Sequence, residues 1–277
     1  MESSSENRGR QDALSLLQWY IASGVDETIA DSPLDWFSQS KDAASSAAPR
    51  QGGDTADRAT SRPRPRTTDP TASAEQIARQ AAAQAAVCDS REELLDAIRN
   101  FDGCNLKKTA AHTVFADGNP DSDIMVIGDA PGVDDDRQGK PFAGESGQLL
   151  DRMFKAIDLE REKNLYITHL LPWRPPGNRK PTLEEITICR PFIERHIELF
   201  NPKLIILLGG TAAGSLLRTA DGIPRLRGKW KTYDLKDASL PVRPLYHPSY
   251  LLQQPKYKKE TWHDLLEIKA KIKELDL

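Results

Sequence analysis

Cysteine is scarce in this chain: Cys88, Cys104 and Cys189 are the only three in 277 residues, odd in number, widely separated and without a CxxC pair. Such a set argues against a disulfide framework. Long apolar runs are also missing. No stretch approaches the roughly 20 residues that cross a bilayer, and the polar start MESSSENRGR lacks the apolar core of a secretory signal. The expectation is a cytoplasmic protein with no membrane partner. Excess positive charge is lacking too, with 38 Lys and Arg against 41 Asp and Glu. A net charge of -3 is not that of a uniformly basic nucleic-acid binder, so any affinity for DNA has to come from local asymmetry. Neither GxGxxG nor GxxxxGK[ST] occurs, which disfavours a dinucleotide or P-loop site.

What is present divides along the chain. Residues 10–23 place Leu14, Leu16, Leu17, Trp19, Tyr20 and Ile21 closely enough for a short amphipathic helix stopped by Gly24. Residues 1–37 are therefore expected to form a helical segment that folds back on the main domain or docks on a protein partner. Residues 38–80 are rich in Ser, Ala, Thr, Pro, Arg, Asp and Gly and read as a disordered linker. A folded domain is expected over 81–277, with helix through 74–100 and Ser90 capping SREELLDAIRNF three residues before Glu93.

Four apolar runs, at 124–128, 165–168, 204–209 and 242–247, alternate with helical patterns at 145–158, 182–199, 210–218 and 258–275. That alternation predicts a three-layer α/β/α sandwich around a four-stranded, mainly parallel sheet. LIILLG is apolar on both faces, as a central strand covered by helices on both sides should be.

Three loops follow predicted strands and carry the chemistry. In GDAPGVDDDRQGKPFAG, the bend at Gly128, Pro131 and Gly132 frees peptide N–H groups beside Asp129. Asp134, Asp135 and Asp136 serve a base or cation site, or else are capping and solvated acids. Phe142 is core filler or a platform for a base. In THLLPWRPPGNRKPT, four prolines stiffen a loop holding His169, Trp173, Arg174, Asn178 and Arg179. His169 is a satisfied strand-end histidine or a ligand-facing one. In YHPSYLLQQPKYKK, His247 can donate a proton or hydrogen bond next to Pro248, Ser249 and a lysine cluster. From Pro224 to Lys259, nine basic residues, among them Arg227, Lys229 and Lys256, face only Asp234 and Asp237 as aspartates. They form a solvated face or a DNA surface.

In order and spacing, GDAPG, PFAGESGQLL, YITH with WRPPGNRKPT, LIILLGGTAA, RLRGKW and YHPSYLL resemble the uracil-DNA glycosylase superfamily over about residues 95–275, with family 4 the nearest likeness. The resemblance implies a monofunctional hydrolase that flips uracil out of DNA and cuts its N-glycosidic bond, starting base-excision repair. It implies catalytic roles for Asp129 or Asp135 beside the sugar and for His247 at the departing base. Gly128, Ala130, Phe142 and His169 would bind substrate, Phe142 by stacking. Arg174, Arg179, Arg227, Lys229, Pro248, Ser249 and Lys256 would meet the DNA backbone. Ala130 stands where a water-activating Asp occurs in other members.

Two departures accompany the likeness. Family 4 holds a 4Fe-4S cluster with four cysteines, and the matching positions here read Phe101, Cys104, Trp173 and Cys189. No cofactor and no metal are therefore expected, the two aromatics filling the cluster's space. The family's uracil-reading Asn is replaced by His169, whose neutral ring offers one donor and one acceptor. Uracil specificity, a specificity broadened to other deaminated bases, and a DNA-binding protein that retains uracil or abasic product with weak turnover all remain open at this point. The partner expected is uracil-containing DNA, met by a monomer.

Overall fold

A computed structural model of the protein describes residues 70–235 and 238–277. The expected helix at 10–23 and the linker up to residue 69 lie outside the described residues. Helix α1 spans Pro70–Ala86 and α2 spans Arg91–Asn100, so helix begins four residues before the expected start at 74, within the segment read as linker up to residue 80. Among its described side chains α1 buries Ala74, Ala81 and Ala85. The Ser90 cap of α2 forms as its sequence indicates, with Ser90 Oγ accepting from the Glu93 N–H and Glu93 Oε2 accepting from the Asp89 N–H.

Strand β1 (Ala116–Gly118) and β2 (Ile124–Gly128) are followed by α3 (Val133–Gln138), α4 (Glu145–Lys155), the one-turn α5 (Arg161–Asn164) and β3 (Tyr166–His169). Helix α6 (Leu183–Phe200), β4 (Leu204–Leu208), α7 (Gly210–Leu216), α8 (Ile223–Leu226), β5 (Lys231–Leu235), β6 (Ala238–Leu245), α9 (Pro248–Gln253) and α10 (Lys258–Leu275) complete the order. The sheet has six strands ordered β1-β3-β2-β4-β6-β5, not four. The four expected strands are its parallel centre, and β1 and β5 flank them as antiparallel edges. Those edges were missed because β1 is three residues of ADG and β5, KTYDL, is polar along most of its length.

Alternation along β2 and β4 sends side chains to two cores. Met125, Ile127, Ile205 and Leu207 face Phe192, Ile193 and Ile197 of α6 and the alanines of α1. Ile124, Val126, Leu204 and Ile206 face Leu150 and Phe154 of α4 and Leu265 and Ile268 of α10. This is the three-layer sandwich that the alternation predicts. Its functional consequence is positional: Asp129 follows β2, His169 ends β3, Thr211 follows β4 and His247 follows β6. All four parallel strands therefore deliver side chains to one end, the carboxyl end where open α/β sheets bind ligands.

Candidate active site

A groove of about 1080 Å³ opens at that end, lined by Asp129, Ala130, Asp135, Phe142, Asn178, Arg179, Thr211, Tyr246, His247, Ser249 and Tyr250 among others. That volume lies at the upper end of the range for small-molecule pockets, roughly 300–1,000 Å³. Gly128 and His169 lie behind Phe142 rather than on the groove wall. Arg174, Arg227, Lys229 and Lys256 do not line it.

Phe142 is the centre of the arrangement. Its backbone adopts a left-handed φ of 53°, a conformation that costs a non-glycine residue roughly 1–2 kcal/mol. Two features hold it. Arg161 donates from Nη1 to the Pro141 carbonyl at 2.8 Å and from Nη2 to the Phe142 carbonyl at 3.1 Å, while Asp117 and Asp151 neutralise the guanidinium. Gly147, in α4, lets the Phe142 carbonyl approach so closely that any side chain there would overlap it. The Phe142 ring then lies against two imidazoles, 4.7 Å from His169 and 5.4 Å from His247.

Each histidine spends one nitrogen on the protein and keeps the other unpartnered and buried. His247 Nδ1 accepts from the Ser249 N–H at 3.2 Å and lies 2.7 Å from Ser249 Oγ. Because a backbone N–H can only donate, Nδ1 is an acceptor, and in the neutral ring Nε2 carries the proton. Burial, followed by the charge of His169, holds the His247 pKa down at about 4, so the ring is neutral at physiological pH. Ser249, expected to grip phosphate, thus orients His247, and Pro248 is buried at the start of α9.

The three consecutive aspartates have three different roles. Asp134 is partly exposed and paired with Arg137 at 2.7 Å. Asp136 is buried and accepts from the N–H groups of Ala111 and His112, away from the groove. Asp135 turns inward, where its Oδ1 accepts from Ala143 N–H at 2.8 Å and its Oδ2 meets Gly132 N–H at 3.2 Å and His169 Nε2 at 3.0 Å. Burial pushes this carboxyl up, but the His169 hydrogen bond and charge and the two N–H donors outweigh it and leave the pKa at about 2. Asp129 behaves oppositely: burial raises its pKa to about 6 against the opposing hydrogen bond from Ala212 N–H, which reaches Oδ1 at 2.6 Å.

Several expected DNA contacts are engaged within the protein. Arg227 is bound to Asp264 at 2.7 Å and Glu260 at 3.0 Å, so its guanidinium is committed to α10 and corrects the expectation of a phosphate contact. Arg174 donates to Asn178, and Arg179 forms a fork with Glu185 while remaining exposed on the groove. Lys229 and Lys256 are exposed, Lys256 lying 5.0 Å over the Tyr257 ring. Sequence reasoning missed Arg161, Gly147 and the cluster of Tyr246, Tyr250 and Tyr257, whose rings lie 5.1–5.4 Å apart. Nothing in the run REKN distinguishes Arg161 from a solvated cation; the tyrosines were legible as an aromatic periodicity in YHPSYLLQQPKY.

Phe101, Cys104, Trp173 and Cys189 come together in the core on the α6 side of the sheet, each at most 3% exposed. The Cys104 and Cys189 sulfurs are 3.9 Å apart. Phe101 packs edge-on against Phe192, and Trp173 Nε1 donates to Thr113 Oγ1. Two thiols and two ring systems do not supply the four thiolates of an iron-sulfur cluster. Among the described residues no group of three or more His, Cys, Asp or Glu is arranged to hold a metal ion, and no helix is long and apolar enough to cross a membrane.

Comparison with known proteins adds the following. The Uracil DNA glycosylase superfamily profile matches residues 115–266. The type-4 uracil-DNA glycosylase of Saccharolobus solfataricus is 36% identical over 186 residues, covering 65% of this chain and 86% of that protein. That of Archaeoglobus fulgidus is 35% identical over 184 residues, covering 65% and 92%, and that of Thermotoga maritima 34% over 175 residues, covering 59% and 86%.

Proposed function

The chain belongs to the uracil DNA glycosylase superfamily, and from that premise we propose that it hydrolyses the N-glycosidic bond between uracil and deoxyribose in DNA, leaving an abasic site. It is a monofunctional glycosylase of the type-4 kind, acting on DNA in the cytoplasm at the first step of base-excision repair. The observation that carries the reading is the buried, unpartnered Nε2 of His247 beside the Phe142 ring.

In this mechanism the nucleotide leaves the duplex and its base stacks on Phe142. The C1′–N1 bond breaks with its electron pair going to the base, and the neutral His247 donates its Nε2–H to the uracil oxygen on which the negative charge gathers. A water oxygen bonds to C1′ of the resulting cationic sugar. Asp129 supplies negative charge beside that sugar and accepts the water's proton. Ala130 keeps the neighbouring position free of a second carboxylate. The exposed Arg179, Lys229 and Lys256 hold the phosphate backbone, so binding weakens as salt rises. We further propose that the domain carries no iron-sulfur cluster; the aromatic side chains at two of the four positions support this.

The pH dependence has a definite sign. Asp129 keeps its proton up to about pH 6, and the reaction needs the ionised form, so the rate rises as pH passes upward through 6. The same raised pKa makes stability fall as pH rises from the ordinary aspartate value to about 6 and leaves it lowered above that, because the unfolded chain gives up its proton first. The test is release of free uracil from a single-stranded oligonucleotide containing one deoxyuridine, followed from pH 5 to 9. Wild type should show the ascending limb near 6, and Asp129→Asn should lose the limb and about a hundredfold or more in rate. Absence of uracil release from wild type would reject the proposal.

A further inference from the structure

Asp129, to which the proposed reaction gives the water's proton, is not held by its own loop alone. Strand β4 pairs in parallel with β2, with Leu208 beside Gly128, so the turn from β4 into α7 comes to lie next to residue 129. Gly209 in that turn has a positive φ of 107°, and a Cβ there would stand 2.4 Å from Asp129 Oδ2 and 2.7 Å from Oδ1. The carboxyl group therefore rests on bare backbone, at an approach that only glycine permits. Ala212 N–H reaches Oδ1 at 2.6 Å, and the hydroxyl and N–H of Thr211 bond the same carboxyl group. Of these donors only the Thr211 hydroxyl belongs to a side chain. Asp129, Gly209 and Thr211 all line the groove.

We infer that Thr211 is a positioning residue for the proposed hydrolysis, its hydroxyl holding the Asp129 carboxylate against the Gly209 backbone in the orientation that meets water and sugar. A carboxylate tied by a single hydrogen bond can pivot about it, and a second donor from the side chain removes that freedom. The reaction needs Asp129 both aimed and ionised. A hydrogen bond donated to a carboxylate favours the ionised form, so Thr211 opposes the burial that raises the Asp129 pKa to about 6. From the neighbouring elements, His169 at the end of β3 lowers that pKa by its charge and is itself paired with Asp135 of α3 at 3.0 Å. His247, after β6, is neutral at physiological pH. Residues 209–215 contain no ionisable side chain, so a substitution at Thr211 changes hydrogen bonding without changing charge.

This role rests on the base-release reading, and two measurements keep their failures apart. The first is the pH profile of single-turnover uracil release, at saturating enzyme, for wild type, Thr211→Val and Thr211→Ser, with folding checked by thermal melts. Valine keeps the shape of threonine and removes the hydroxyl; serine keeps the hydroxyl and removes the methyl group. Thr211→Val should move the ascending limb upward by about one pH unit, because a donor to the ionised form is lost, and should lower the plateau above it roughly tenfold. Thr211→Ser should keep the limb in place and most of the rate. A Thr211→Val enzyme with the limb and plateau of wild type overturns the inference. So does the opposite order, serine impaired and valine normal, which would make Thr211 a packing residue. An unmoved limb with weaker DNA binding in Thr211→Val would assign the hydroxyl to the phosphate backbone and overturns the inference as well. Thr211→Ala replaces Thr211→Val, with the same expectations, if the latter does not fold.

The second measurement is a carboxyl-carbon NMR titration of aspartate-labelled protein, with the Asp129 signal assigned by comparison with Asp129→Asn. That signal should titrate near pH 6 in wild type and in Thr211→Ser, and about one unit higher in Thr211→Val. An equal midpoint in Thr211→Val overturns the inference even if uracil is released. If wild type releases no uracil, the base-release reading fails while the midpoints still decide whether the Thr211 hydroxyl holds the carboxylate.

Discussion

Arg161 holds in place a backbone turn that Phe142 alone would not adopt. Its two bonds to successive carbonyls, together with the close approach over Gly147, fix the ring on which the proposed base stacking depends. Arg161→Ala should lower stability by about 2–3 kcal/mol in urea denaturation and reduce kcat/KM for uracil release roughly tenfold, with Arg161→Lys in between. Unchanged kcat/KM would show that the turn holds itself. At this scale the sequence is only partly readable. Asp129, Phe142 and His247 stand in recognisable segments, and each lines the groove. The Asp135–His169 pair joins residues 34 positions apart, and Arg161 acts on residues 19 and 20 positions away. Neither carries a local pattern, because contacts made through folding leave no periodicity.

Among the elements, α10 is held from within by charge. Asp264 is 1% exposed and binds both Arg227, from the loop after α8, and Arg243, which is 3% exposed in β6. One carboxylate thus ties the last helix to the sheet and to the RLRGKW segment. Removing it leaves Arg243 buried without a counter-charge, so Asp264→Asn should cost about 3–5 kcal/mol, measured as a lowered denaturation midpoint. A loss under 1 kcal/mol would mean that water reaches Arg243. The elements that were legible in the sequence are those whose burial is apolar: β2, β3, β4 and the end of β6 each register as hydrophobic runs. The edges β1 and β5 do not, because their pairing rests on backbone hydrogen bonds.

For the whole molecule, a net charge of -3 leaves the proposed affinity for DNA to local basic residues such as Arg179 on the groove. The core that Phe101 and Trp173 fill extends from α1 and α6 to the loop following β3, and on the proposed absence of a cluster the parts of the domain meet there through carbon. Protein produced in medium depleted of iron should melt within about 1 °C of protein produced in rich medium, release uracil at the same rate and lack visible absorption. A brown preparation or a lowered melting temperature would refute the proposed absence of a cluster. If the proposed absence of a cluster holds, a repair enzyme closed in this way would mature as soon as its chain is made, without a supply of iron and sulfide or the proteins that deliver them. Its capacity to clear deaminated bases would then persist through iron starvation and oxidant stress, when DNA lesions accumulate and metal-dependent maturation fails.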